Sequence, residues 1–139
     1  MLPGFGKTYQ STEDIASYHA HVYYDGGTKQ HAGDLRREMD KRFDVELGRW
    51  RDKAIGPHPM SSFQVTFTKD QFVEIMPFLA LNRESLFILV HPNTGDGFID
   101  HTDNAMWVGP SVPLNAEWMK RNQDRLQRAA ENMVADQQK

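Results

Sequence analysis

The chain orders its elements as strand, helix, strand, strand, helix, strand. That order predicts an α+β sandwich of the split-βαβ, ferredoxin-like kind, extended C-terminally by a short strand and a helix. Three observations carry the prediction. Residues 17–24 and 61–67 alternate between two chemistries with a period of two, as strands do. Residues 28–43 and 72–79 place apolar side chains three and four apart, as one-sided helices do. Clusters of Gly, Asp, Asn and Pro separate these segments.

Along the chain, residues 1 to about 15 are polar and Gly-bearing and read as a loose arm. Gly6-Lys7-Thr8 is no phosphate loop, because the required glycine five positions earlier would fall on Met1. Ser17–Tyr24 is an aromatic and β-branched strand. Its period puts His19, His21 and Tyr23 on one face, and Tyr18, Ala20, Val22 and Tyr24 on the other. Asp25-Gly26-Gly27 turns the chain into a helix over residues 28–43, whose stripe is Ala32, Leu35, Met39 and Phe43. His31 lies off that stripe and reads as a surface residue. Residues 45–51 form a second strand with Val45 and Leu47 inward. Residues 53–60 are a loop in which Pro57 and Pro59 restrict the backbone around His58.

Residues 61–67 form the third strand. Phe63, Val65 and Phe67 face the core; Ser62, Gln64 and Thr66 give a polar face suited to lining a site. Thr68 and Gln71 form a capping box for a helix that buries Phe72, Ile75, Met76 and Leu79. Pro77 should bend that helix or end it early. Residues 86–90 are an apolar fourth strand closed by His91. Residues 93–103 read as a loop and 105–108 as a short strand. Asn115 caps a final helix, over 115–135, whose thin apolar stripe suggests peripheral packing or a partner chain.

Taken with right-handed crossovers, this order sets strands one and three side by side and parallel, with strand four antiparallel beside strand one. His19 and His21 begin strand one, His58 precedes strand three and His91 ends strand four. All then fall at one end of the sheet, on the face the helices leave open. A lone histidine is usually a hydrogen-bonded core or surface residue. Convergence of four is the stronger signal.

Length fits one domain over residues 1–139 with a core of its own. The net charge of -3 and the absence of a basic run argue against nucleic acid and against a membrane surface. No apolar run is long enough to span a bilayer, and residues 1–7 lack signal-peptide order. Zero cysteines fit a cytoplasmic protein. They also restrict any metal to imidazole, carboxylate or water, a donor set suited to iron, zinc, manganese, copper or nickel. Asp96, Asp100 and Asp103 offer a carboxylate ligand or a partner behind the histidines, and Arg49, Arg51 and Lys53 could meet a substrate carboxylate.

Four motifs resemble the DOPA 4,5-dioxygenase family of aromatic ring-cleaving enzymes. They are His19-Ala20-His21-Val22-Tyr23-Tyr24, Gly56-Pro57-His58-Pro59-Met60, Val90-His91-Pro92-Asn93-Thr94, and Asp100-His101-Thr102-Asp103-Asn104-Ala105-Met106-Trp107-Val108-Gly109. Together they run from residue 19 to 109. The resemblance implies a ferredoxin-like fold, a homodimer, mononuclear non-haem Fe(II) and extradiol opening of a small catechol such as DOPA by O2. Zn(II) or another divalent ion could replace iron in purified protein. The implied metal ligands are His19, His21 and His91, with His58 the close alternative. His58 or His101 is then the acid/base. Tyr23, Arg51 and Trp107 are the expected substrate contacts. Two other readings use the same sheet: a cofactor-free dimeric monooxygenase or isomerase, and a non-catalytic module that binds a metal or ligand.

Overall fold

The structure is a computed structural model that describes residues 9–137. The first eight residues of the expected arm, including Gly6-Lys7-Thr8, lie outside the described residues. Residues 12–14 form a single 3-10 turn, capped by the Ser11 side chain.

Five strands form one antiparallel sheet: β1 (Ser17–Tyr24), β2 (Glu46–Leu47), β3 (Ser61–Phe67), β4 (Phe87–Asn93) and β5 (Met106–Val108). Their spatial order is β2-β3-β1-β4-β5. The helices are α1 (Lys29–Arg42), α2 (Phe72–Asn82), the short α3 (Gly97–His101), α4 (Ala116–Arg121) and α5 (Gln123–Gln137). The fold is the expected ferredoxin-like one with its C-terminal extension.

The alternation along β1 separates two environments. Ala20, Val22 and Tyr24 pack with Phe63, Val65, Ile88 and Val90 against Ala32, Leu35 and Met39 of α1 and Ile75 and Leu79 of α2. Each fully buried Val, Leu, Ile or Met side chain in this layer contributes about 1.5–3 kcal/mol. The Thr68–Gln71 capping box forms as expected, with both reciprocal bonds made. Pro77 does not end α2 early. The carbonyl its missing N–H leaves free belongs to Val73, which is exposed, so water can satisfy it.

One expectation is corrected by the pairing: β1 and β3 are antiparallel, with Tyr18 opposite Phe67 and Tyr24 opposite Ser61. In a split βαβ the helix makes strands one and two parallel. The short connection 48–60 turns β3 antiparallel to β2. Because β3 lies between them, it opposes β1 as well. β2 is also shorter than expected. Gly48 comes so close to β3 that an added Cβ would sit 3.3 Å from Gln64. The chain then leaves the sheet and returns in a single bridge, Arg51 to Ser62.

β4 in turn runs three residues further than expected, through His91 and Pro92 to Asn93. Its last pair with β5 is Val90 with Met106, so Pro92 sits where β4 has β1 as its one neighbour. Residues 93–103 are not all loop, since Asp96 caps the α3 turn through Ile99 N–H. The final helix divides at Asn122 into α4 and α5. His31 is not a plain surface residue: it is half-buried, and its Nε2–H donates to the Asn82 carbonyl at 2.8 Å, tying the start of α1 to the end of α2.

Candidate metal centre and active site

β1 delivers His19 and His21 to the open face, and the antiparallel register sets His91 of β4 directly opposite His19. The extra length of β4 is what places His91 inside the sheet. His101 ends α3. The neighbouring Asp100, 1% exposed, fixes that turn by accepting from Thr94 N–H at 2.8 Å, Thr94 Oγ1 at 2.7 Å and Asn104 Nδ2 at 3.2 Å. Asp100 therefore holds the loop under His101; both its oxygens are engaged. Asp96 is spent on its helix cap, and Asp103 is exposed.

His58 arrives by a different route from the expected one. With β3 antiparallel, the residues just before it lie near the end of β1, beside Tyr24. The 53–60 loop instead folds back over the open face. His58 N–H bonds the Ile55 carbonyl at 3.1 Å, and the Pro57 carbonyl accepts from Asn115 N–H at 2.8 Å. Gly56, at φ +60, turns the loop tightly against the Trp118 ring. The C-terminal segment thus pins the loop that carries His58.

Five imidazoles meet as a result. Ring centroids are 4.1 Å apart for His91 and His101, 4.3 Å for His21 and His58, 5.1 Å for His21 and His91, and 5.2 Å for His19 and His91. His21 Nε2 and His91 Nε2 are 3.1 Å apart. Two trios have ligand atoms within 4.8 Å of one another, His19-His21-His91 and His21-His58-His101, and either is able to hold a metal ion.

Burial sets the protonation of the cluster. It lowers every one of the five pKa values, and the neighbouring imidazoles lower most of them further: His19 to about 3, His58 to about 4, His21 and His91 well below 6.5. The rings are therefore neutral at pH 7, the form that binds metal.

Hydrogen bonds then fix the tautomers. A carbonyl only accepts, so His91 Nδ1–H donates to Pro92 O at 2.9 Å and His101 Nδ1–H donates to Gly97 O at 2.7 Å. Both leave a bare Nε2 toward the cluster. Tyr23 is fully buried, and burial raises its pKa, so it keeps its proton. Its hydroxyl lies 2.6 Å from His58 Nδ1. Donation there leaves His58 with its hydrogen on Nε2. His19 Nε2 is buried with no hydrogen-bond partner among the described residues. An orphaned polar atom of this kind costs about 1–3 kcal/mol unless something binds it.

A pocket of about 250 Å³ opens onto these rings, with Gln64 and Asn93 on its floor. Gln64 belongs to the polar face that the sequence marks on β3. The far wall is α5: Leu126, Ala129, Ala130 and Met133. The final helix is thus not peripheral. It seats on α3 at Gly97, where an added Cβ would lie 2.7 Å from the Leu126 carbonyl oxygen. A second depression shares His21, His58 and Gln64 and continues to Arg49, Arg51 and Ile55. Of the expected substrate contacts, Arg51 therefore lines a pocket wall. Tyr23 stands behind His58, and Trp107 stacks on Tyr23 with ring centroids 6.1 Å apart. Neither ring is part of either lining.

A family model described as the Dopa 4,5-dioxygenase family matches residues 18–118, which include all five clustered histidines. The chain belongs to that family. Within and around the Dopa dioxygenase family, it is 33% identical over 111 residues to a DOPA 4,5-dioxygenase of Amanita muscaria, covering 73% of this chain and 49% of that one. It thus spans about half the length of that relative. It is 36% identical over 134 residues to an uncharacterized 21.2 kDa protein of Botryotinia fuckeliana, covering 83% of this chain and 73% of that one. A crystal structure of a candidate dioxygenase from Nostoc punctiforme is 46% identical with a TM-score of 0.79, covering 81% of this chain and 98% of that one. The family and its named members are dioxygenases, and the histidine cluster here is able to hold a metal ion. Among the described residues, no helix is long and apolar enough to cross a membrane.

Proposed function

We propose that this chain is an extradiol ring-cleaving dioxygenase that opens a small catechol with O2, using mononuclear non-haem Fe(II). The observation that carries the reading is the buried set of neutral imidazoles, with one Nε2 orphaned and two Nε2 atoms stripped of hydrogen by backbone carbonyls. That donor set fits a divalent ion of the iron or zinc kind.

His19, His21 and His91 are the proposed ligands. All three are buried. His91 is aligned by the Pro92 carbonyl, and His19 gains the partner it otherwise lacks. Fe(II) held there would supply Lewis acidity toward the catechol and redox chemistry toward O2. The chain's own residues divide the proton work by tautomer. His101 presents a bare Nε2 and is the base that takes a catechol proton. Once protonated, His101 returns that proton to product, while His58 presents Nε2–H, held so by Tyr23, as a hydrogen-bond donor to the substrate oxygens. The same hydrogen on His58 weighs against the alternative trio His21-His58-His101. Arg51 is the proposed contact for a substrate carboxylate. Tyr23 and Trp107 act from behind His58 in this scheme. α5 gives the pocket an apolar wall facing the histidine-bearing elements. The homodimer and the cytoplasmic location implied by the resemblance and by the cysteine-free sequence belong to the same proposal; light scattering tests the first.

The test is anaerobic reconstitution with Fe(II), addition of a panel of catechols, then O2 while uptake and the yellow ring-opened product are followed. Stoichiometric uptake with a yellow product is the expected result. Iron-loaded protein that consumes no O2 with any catechol of the panel overturns the reading.

A further inference from the structure

We infer that this site selects catechols that carry an anionic group and no ammonium, so that a catecholic acid is preferred over the amino acid DOPA itself. The inference rests on the extradiol reading above and specifies its substrate class. It follows from what stands at each end of the cavity.

At one end the second depression is lined by Arg49 and Arg51. Neither guanidinium forms an ion pair or a side-chain hydrogen bond among the described residues. Two unpaired cations within a pocket that shares His21 and His58 with the main cavity make a receiving site for a carboxylate. At the other end the wall is α5, with Leu126, Ala129, Ala130 and Met133 spaced along one helix face. That wall offers no hydrogen-bond partner to a charge.

An ammonium would find no counter-charge at either end. Among the described residues, Asp100 is the one carboxylate in either lining, and Thr94 and Asn104 occupy both its oxygens. Asp52 follows Arg51 in sequence and lines an adjoining depression that shares Arg51 and Ile55 with this one; its Oδ1 is engaged by Lys29 at 2.9 Å and by the Tyr24 hydroxyl at 2.6 Å. The ammonium of DOPA sits on the carbon next to its carboxylate, so it would be carried toward the arginines. Repulsion there offsets part of what the carboxylate gains.

The experiment compares three probes: 3-(3,4-dihydroxyphenyl)propionate, DOPA and dopamine, whose side chains carry net charges of about -1, 0 and +1 at pH 7. Their dissociation constants are measured by calorimetry on the full chain loaded with Zn(II), which binds without ring opening. The same probes are assayed for O2 uptake with Fe(II). The expected order of affinity is acid, then DOPA, then dopamine, with the acid roughly tenfold tighter than dopamine or better. In the Arg49→Gln/Arg51→Gln double variant the three should come within about threefold of one another. Raising salt from about 0.05 to 0.5 M on the unmodified chain should compress the order likewise, because exposed charges are screened. This second measurement serves if the double variant does not fold. An Fe(II) enzyme that opens catechols but binds DOPA or dopamine as tightly as the acid overturns this inference and leaves the dioxygenase reading standing. An order that survives both the double variant and high salt overturns it too. Absence of ring opening with every probe overturns the dioxygenase reading, and the inference with it.

Discussion

The two faces of β1 are one residue apart and physically opposite. Ala20, Val22 and the Tyr24 ring lie in the apolar core layer, where the contacts are the stabilising ones; the Tyr24 hydroxyl alone reaches out of it, to Asp52. His19, His21 and Tyr23 are as deeply buried, among imidazoles, a polar β3 face and an orphaned nitrogen. Burial on the first face lowers free energy. On the second it is a standing cost that a bound ion would relieve. Equal burial on one strand therefore has two meanings, and the partners decide which applies.

The largest test of that contrast removes a proposed ligand. His21→Ala should weaken Zn(II) or Fe(II) binding by more than about a hundredfold, beyond what loss of a partner behind a ligand typically costs. Its metal-free melting temperature should be unchanged or higher, since a buried polar ring is gone. Metal content equal to the unmodified protein would sink the ligand assignment. On the opposite face, Ile88→Ala, fully buried, should cost about 2–5 kcal/mol in denaturant unfolding and leave metal stoichiometry intact.

Acid sharpens the comparison because only one face titrates. The five histidines have folded pKa values below the unfolded 6.5, with His58 near 4 and His19 near 3. Below pH 6.5 the unfolded chain binds more protons than the folded one. Stability of the metal-free protein is therefore fully present above pH 6.5 and falls as pH drops toward 4 and 3, in total by several kcal/mol. Urea midpoints measured between pH 7 and 4 should show it; a flat profile would mean the rings are not buried together. Tyr23→Phe should lower kcat by roughly tenfold with metal affinity nearly unchanged, because it frees His58 to shift its hydrogen to Nδ1. A pH–rate profile identical to that of the parent would count against the donor role. The smallest effect is His31→Ala, which loses the bond to Asn82 and should cost about 1 kcal/mol with no change in metal binding.

Much of this is legible in the residues. The alternation along β1 is enough to separate His19 and His21 from the core, and Thr68 with Gln71 marks the start of a helix. Strand direction is harder. The period of a strand tells which face a side chain takes, not which way its neighbour runs. A parallel β3 would bring His58 to the cluster along the sheet, and the observed β3 does not run that way. His58 reaches the cluster because Asn115 and Trp118 pin a loop that contains two prolines and a glycine at positive φ. The α5 wall is not legible as a wall. Two of its four lining residues are alanines, which read as a weak stripe in one dimension and as open space in three. Gly97 is the one available signal, a residue without a side chain where two helices meet.

The match to the family ends at Trp118, and α5 begins five residues later. The histidines and the surface that faces them across the cavity therefore belong to separable stretches of chain. A different tail helix, joined after residue 122 and keeping a backbone seat for Gly97, would give the same chemistry a new mould. A library built on this chain for other aromatic rings should vary the tail and leave the sheet alone.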